Sequence, residues 1–303
     1  MHLKLTVLGI GSASPQVGKN PSAFLVSFNN EHVLVDCGEG TQHRLLEKSI
    51  KISRLKTICI SHLHGDHYFG LIGLLSSMNL SGRTEPMTLI GPEQLLDILN
   101  IQFLAANTSL GFELNFIKTD NSKSELLLEH KAFTIETIPL IHRVPCTGFK
   151  ITEKAGRRHL IPEKLPKSFP VAFINLLKDG KDVTDPLTQE VFKSLEYTKR
   201  GEPAKVFSYC SDTAYNPVIV PIIEGSDLVY HEATFTKELE DRAAKTQHST
   251  AEQAAQIAKD AKVKKMILGH LSSRYKTTDA HLEEAEKVSS NVEMAVQGAV
   301  YQI

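Results

Sequence analysis

Six residues, His62-Leu63-His64-Gly65-Asp66-His67, restrict this chain more than any other stretch. They follow an apolar, β-branched run, Thr57-Ile58-Cys59-Ile60-Ser61, which predicts a short buried strand. Residues two apart in an extended segment point the same way, so His62 and His64 can converge on one cation. Gly65 permits a sharp turn. Asp66 and His67 follow it and can face a second cation. Three imidazoles and a carboxylate set so closely are costly unless metal or solvent satisfies them. Imidazole and carboxylate at this spacing suit zinc well.

A chain of 303 residues has room for one large α/β domain or two smaller ones. Its 41% hydrophobic and 23% charged content is that of an ordinary globular protein. No stretch reaches the length of a membrane-spanning helix. Met1 to Gly9 alternates like a first strand and lacks the apolar core of a signal peptide, which predicts a cytoplasmic protein. Cys37, Cys59, Cys146 and Cys210 form no CxxC pair and sit in apolar surroundings, as buried free thiols do. The net charge of −1 excludes a generally nucleic-acid-binding surface, so any RNA contact needs a local basic patch.

The first half reads as strands and short helices. Strands are expected at Leu3–Leu8, Ala23–Phe28 and His32–Asp36, with a hairpin turn at Asn29-Asn30. A helix follows the glycine-rich Asp36–Gln42 loop, another covers His67–Leu80, and Pro92 opens a third. Met87–Ile90, Glu113–Lys118, Leu126–Glu129 and Phe133–Leu140 continue the β pattern. In the second half Lys205–Cys210, Asp227–His231 and Lys265–Gly269 read as strands. Ser249 to Ala261 reads as a helix with Ser249 as N-cap and Glu252 closing a capping box. Between the halves, Lys150 to Asp182 fits neither pattern. It holds three prolines, and eight Lys/Arg against four Asp/Glu give it a net +4. We expect a single domain over 1–303 with a basic arm inserted at 153–182.

Two cations need more ligands than one loop supplies, and strand ends are where convergent ligands belong. His142, Asp212 and His270 each follow a predicted strand. A carboxylate so placed can bridge two cations with its two oxygens. His2, His32, His43, His130, His159 and His281 lack that context and read as surface or structural residues.

The metal loop resembles the signature of the metallo-β-lactamase superfamily. That resemblance implies an α/β fold, an αββα sandwich of two mixed sheets with outer helices. Other segments are similar to the motifs of the ribonuclease Z family of tRNA 3′-processing endonucleases, and in that family's order. They are Leu8–Pro15, Asp36–Gln42, Gly70–Leu75, Ser211–Thr213, His231–Phe235, His248–Thr250 and Gly269–Tyr275. The resemblance covers nearly the whole chain. It implies a first zinc on His62, His64 and His142, a second on Asp66, His67 and His270, and Asp212 bridging them. It implies precursor tRNA as substrate, a 3′-hydroxyl left on the tRNA and a 5′-phosphate on the trailer. It also implies a homodimer in which the arm of one subunit serves its partner. The family's arm carries a glycine–proline turn that Phe169–Gly180 lacks.

Two cations about 3.5–4 Å apart can clamp a phosphodiester. Asp66 is then both a ligand and the best-placed general base. Ser272 and Arg274, just beyond His270, are expected to hold the phosphate. His248, oriented by Glu232, is expected to be the general acid, since imidazole carries a proton near neutral pH. His231 is the weaker alternative for that role. A thioesterase or small-molecule phosphodiesterase on the same scaffold would account for the metal loop and no more. A non-catalytic relative should lack ligands that are all present here.

Overall fold

Alternation along the strand Ala23–Phe28 sets the layering. Phe24, Val26 and Phe28 point into one buried cluster, while Ala23 and Leu25 point into another on the opposite face. A strand buried on both faces must be covered on both, and a computed structural model, which describes residues 3–28, 31–166 and 169–303, shows how.

One seven-stranded sheet runs, edge to edge, through Val300–Gln302, Lys4–Gly9, Ala23–Phe28, Glu31–Val35, Leu55–Cys59, Met87–Gly91 and Leu114–Lys118. Its first three pairings are antiparallel and its last three parallel. A second seven-stranded sheet runs through Val292–Met294, Met266–Gly269, Leu228–Glu232, Lys205–Cys210, Thr147–Glu153, Phe133–Pro139 and Leu126–Glu129. Phe24, Val26 and Val35 of the first sheet meet Phe149, Phe207, Tyr209 and Tyr230 of the second in the central core. Outside the first sheet pack Leu45, Leu74 and Leu99 from the helices Thr41–Glu47, Leu71–Leu80 and Gln94–Ala105. Outside the second pack Ala254, Ile257 and Ala258 from the helix Ala251–Asp260, and Ala285 from Asp279–Glu286. The fold is the αββα sandwich.

Several local expectations shift. The helix expected over 67–80 is two, Gly65–Tyr68 and Leu71–Leu80. The chain breaks at Gly70, where a Cβ would stand 2.1 Å from the Gly38 carbonyl oxygen. The capping box lies one residue later than expected. Thr250 accepts from the Gln253 amide and the Gln253 side chain accepts from the Thr250 amide. Ser249 is unavailable because its hydroxyl donates to the Thr213 carbonyl at 2.7 Å. Lys150 to Glu153 completes the strand Thr147–Glu153. The Asn29-Asn30 turn and His2 lie outside the described residues.

The segment Glu153–Lys205 forms a compact unit of its own, longer than the 153–182 segment marked out by charge and prolines. Its small core is Leu177, Val183 and Phe192. The apolar run at 171–177 forms a 3-10 turn, Val171–Phe173, and a short helix, Ile174–Lys178.

Candidate metal centre

Strand ends gather the polar groups, as the convergent ends of parallel strands do in open α/β sheets. Asp36 follows Glu31–Val35, His62 follows Leu55–Cys59, and His142 follows Phe133–Pro139. Asp212 follows Lys205–Cys210, Glu232 ends Leu228–Glu232, and His270 follows Met266–Gly269. Asp36 and His270 take positive φ values, 57° and 58°, in a region that costs non-glycine residues energy. Surrounding bonds hold them there: the His270 amide donates to the Ile10 carbonyl at 3.1 Å.

Four of the five imidazoles have one nitrogen committed to the surrounding protein. His67 Nδ1 lies 2.7 Å from Asp36 Oδ2, and His142 Nδ1 lies 2.9 Å from the Gln247 carbonyl. His270 Nδ1 lies 3.1 Å from Thr234 Oγ1, and His62 Nδ1 lies 3.0 Å from Ser61 Oγ. With those nitrogens donating, the opposite nitrogen of a neutral ring presents a lone pair. Three ring nitrogens meet: His64 Nδ1 stands 3.0 Å from His62 Nε2 and 3.2 Å from His142 Nε2. Burial and the neighbouring rings hold His62 well below the usual histidine range, so it is neutral.

The second group is Asp66, His67 and His270. Asp66 Oδ2 lies 3.4 Å from His67 Nε2 and 3.2 Å from His270 Nε2. Asp212 joins the two groups. Its Oδ2 faces His62 Nε2 at 3.7 Å and His142 Nε2 at 3.9 Å, and its Oδ1 faces His67 Nε2 at 3.6 Å and His270 Nε2 at 3.3 Å. Among the described residues, the buried atoms His67 Nε2 and Asp212 Oδ1 have no hydrogen-bond partner. Burial alone would lower the His67 pKa, but Asp212, Asp36 and Asp66 override it and hold the ring well above its usual value. Burial would likewise raise Asp66, yet His67 and His270 keep its carboxyl well below the usual range. The pocket therefore calls for positive charge. Converging lone pairs, orphaned ligand atoms and buried carboxylates all fit divalent cations, and His62, His64, His142 and Asp212 form one group that could hold one. Asp66, His67 and His270 form another.

Beside this cluster lies the pair His248 and Glu232. His248 Nδ1 is 2.7 Å from Glu232 Oε1. Glu232 is fully buried and also accepts from the Thr213 amide, the Thr234 amide and the Thr234 hydroxyl. Burial works against the charge on both partners, but each supports the other. Glu232 falls to about 2 and His248 rises to about 9. His231 occupies the other face of the strand. Its Nδ1 donates to the Glu232 carbonyl at 2.6 Å, and burial lowers its pKa.

A cavity of about 250 Å³ opens over the cluster, lined by His64, Asp66, Asp212, His248, His270, Ser272 and Arg274. Arg143 and Arg242 line it as well, and sequence reasoning missed both. Among the described residues none of the three arginines forms a salt bridge with a carboxylate. Sequence reasoning also left Asp36 and Thr234 without a role, although Asp36 carries the same strand-end signal as the ligands.

Residues 3–156 match the family model described as Anti-Pycsar protein Apyc1. Over all 303 residues the chain is 41% identical to a ribonuclease Z of Cytophaga hutchinsonii, covering 97% of that protein. The chain belongs to the ribonuclease Z family. A ribonuclease Z of Bacteroides fragilis is 38% identical over 293 residues, 96% of each chain. Among solved structures, the short form of human tRNase Z superposes with a TM-score of 0.71 at 26% identity, over 98% of both chains. The metallo-β-lactamase fold protein YhfI from Bacillus subtilis, at 22% identity, has a TM-score of 0.70 over the full length of both. The ribonuclease Z fold implies a divalent metal, and the histidine–aspartate groups could hold one.

Proposed function

We propose that this chain is an endoribonuclease that removes the 3′ trailer from precursor tRNA, leaving a 3′-hydroxyl on the tRNA and a 5′-phosphate on the trailer. The observation that carries this reading is Asp212, whose two oxygens face two separate groups of imidazoles beneath a cavity lined by three arginines. Family membership at 41% identity over the full chain supports the substrate.

In this reading the site would take two zinc ions. His62, His64 and His142 would hold one, Asp66, His67 and His270 would hold the other, and Asp212 faces both groups. Such ions would lower the pKa of water and offset charge on the phosphate. Asp66 accepts the proton of the attacking water, whose oxygen bonds to phosphorus. Ser272 and Arg274 hold the phosphate oxygens, with Arg143 and Arg242 adding positive charge around the cavity. As the bond from phosphorus to the ribose 3′ oxygen breaks, His248 gives that oxygen a proton. Glu232 fixes the ring and keeps it charged until then.

The arm is proposed to bind the tRNA body, and a homodimer is proposed as the working form. Within the arm unit Lys154, Arg157, His159 and Lys178 line one cleft together with Glu153 and Glu202, and the reading rests on the net positive charge of the segment. No helix of the described residues is long and apolar enough to cross a membrane. The four cysteines are free and buried, in keeping with a reducing cytoplasm. The test is cleavage of one precursor tRNA with both product ends mapped, alongside elemental analysis of the same sample. A cut that leaves a 3′-phosphate, or no metal-dependent cut at all, refutes the reading.

A further inference from the structure

Phe69 lies two residues beyond His67 and leaves 60% of its surface exposed. Its ring is not loose. It presses against Gly65 of the metal loop, where a Cβ would come within 2.2 Å of ring atom Cε2 and 2.5 Å of Cζ. The Tyr68 ring meets it edge-on at 5.0 Å. The glycine at position 65 thus makes room for this aromatic ring, and the backbone there does not need a positive φ.

The ring borders a cleft of about 410 Å³, within the range of ligand pockets. Pro15 and Pro21 add apolar surface, while His64, Asp66 and Arg143 line both this cleft and the cavity over the metal cluster. A rigid aromatic surface thus adjoins one residue of each histidine–aspartate group, His64 and Asp66, and the cavity arginine Arg143. An exposed phenylalanine alone is unremarkable in a soluble protein. One backed by a glycine and opening into the active-site cleft has the form of a stacking surface.

We propose that Phe69 is a stacking platform for the nucleobase of a nucleotide flanking the scissile phosphate. This rests on the nuclease reading above. Stacking suits an enzyme that meets many sequences at its cut site, because every base has a π-face. It positions the sugar–phosphate backbone over the cluster without reading the base.

The test combines protein and substrate changes. On intact precursor tRNA, Phe69→Leu should raise KM roughly 5- to 150-fold, the range for losing one base–aromatic stack, with metal content unchanged. Phe69→Trp should restore KM. Two further precursors each carry an abasic nucleotide, one immediately 5′ and one immediately 3′ of the cut. On the one lacking the stacked base, wild-type KM should rise by the same factor and Phe69→Leu should add nothing. An undiminished Phe69→Leu penalty on both abasic substrates overturns the proposal, as does an unchanged KM on intact precursor. If wild-type protein cuts none of the three, the nuclease reading falls with it. Cleavage with an undiminished penalty removes the stacking role alone.

Discussion

His67 Nδ1 lies 2.7 Å from Oδ2 of Asp36, a carboxylate with no solvent exposure. The same carboxylate accepts from the Ser61 amide at 2.8 Å, the Ser61 hydroxyl at 2.9 Å and the Tyr209 hydroxyl at 2.6 Å. It fixes the proton on Nδ1 and so turns Nε2 toward the cluster. Asp36→Ala should weaken metal binding by about 10- to 100-fold, as removal of such outer partners does. Titration against a chromogenic chelator measures this. Stability should fall too, because buried donors on Ser61 and Tyr209 lose their acceptor. Unchanged metal affinity with lowered stability would make Asp36 a structural anchor only.

The bridging position of Asp212 leads to a second prediction. Protein purified without added metal should carry close to two zincs per chain. The double variant His64→Ala, Asp212→Ala removes one ligand from the first group and the shared carboxylate. Its zinc content should drop well below two, and cleavage should be lost. A double variant that still holds two zincs would mean that the ions sit elsewhere.

The strands Thr147–Glu153 and Lys205–Cys210 that flank the arm unit are neighbours in the second sheet, so a short linker can join their ends. Replacing residues 154–204 with a short glycine linker should weaken tRNA binding and flatten its dependence on salt, since fewer counterions are released. Hydrolysis of a small phosphodiester should survive. Equal loss of both activities would show that the arm supports the fold instead.

The histidine–aspartate cluster was legible in the sequence because the 62–67 loop, His142, Asp212 and His270 all follow apolar runs, and the fold brings strand ends together. Asp36 carries the same mark, but its partners His67 and Tyr209 lie 31 and 173 positions away, and nothing local pairs them. Arg242 was invisible for another reason. It sits in a charged helix, Glu240–Thr246, where only the tertiary fold turns it toward the cavity. At the next helix both Ser249…Glu252 and Thr250…Gln253 satisfy the capping pattern. The choice between them was made by Thr213, whose carbonyl takes the Ser249 hydroxyl. Gly65 was read as a turn residue, and its need for room against Phe69 depends on where that ring packs. Local pattern thus sufficed to point to the residues that the fold gathers, while their outer partners, caps and packing depended on distant segments.

The pair His248 and Glu232 gives the sharpest test of the chemistry. A ribose 3′ oxygen leaves poorly unless protonated, whereas nitrophenolate leaves well unaided. His248→Ala should therefore slow precursor tRNA cleavage by roughly 10²–10⁴-fold. It should affect a nitrophenyl phosphodiester far less and leave zinc content unchanged. The acid must be protonated to act, and His248 holds its proton up to about 9. Turnover of precursor tRNA should thus decline as pH rises through that value. Glu232→Gln removes the carboxylate that raises His248, so the declining limb should move to lower pH. The same pairing stabilises the fold fully below the ordinary histidine value of 6.5, and that contribution fades as pH rises through about 9. A His248→Ala variant equally slow on both substrates, with its metals intact, would show that the ring positions the phosphate and does not donate the proton.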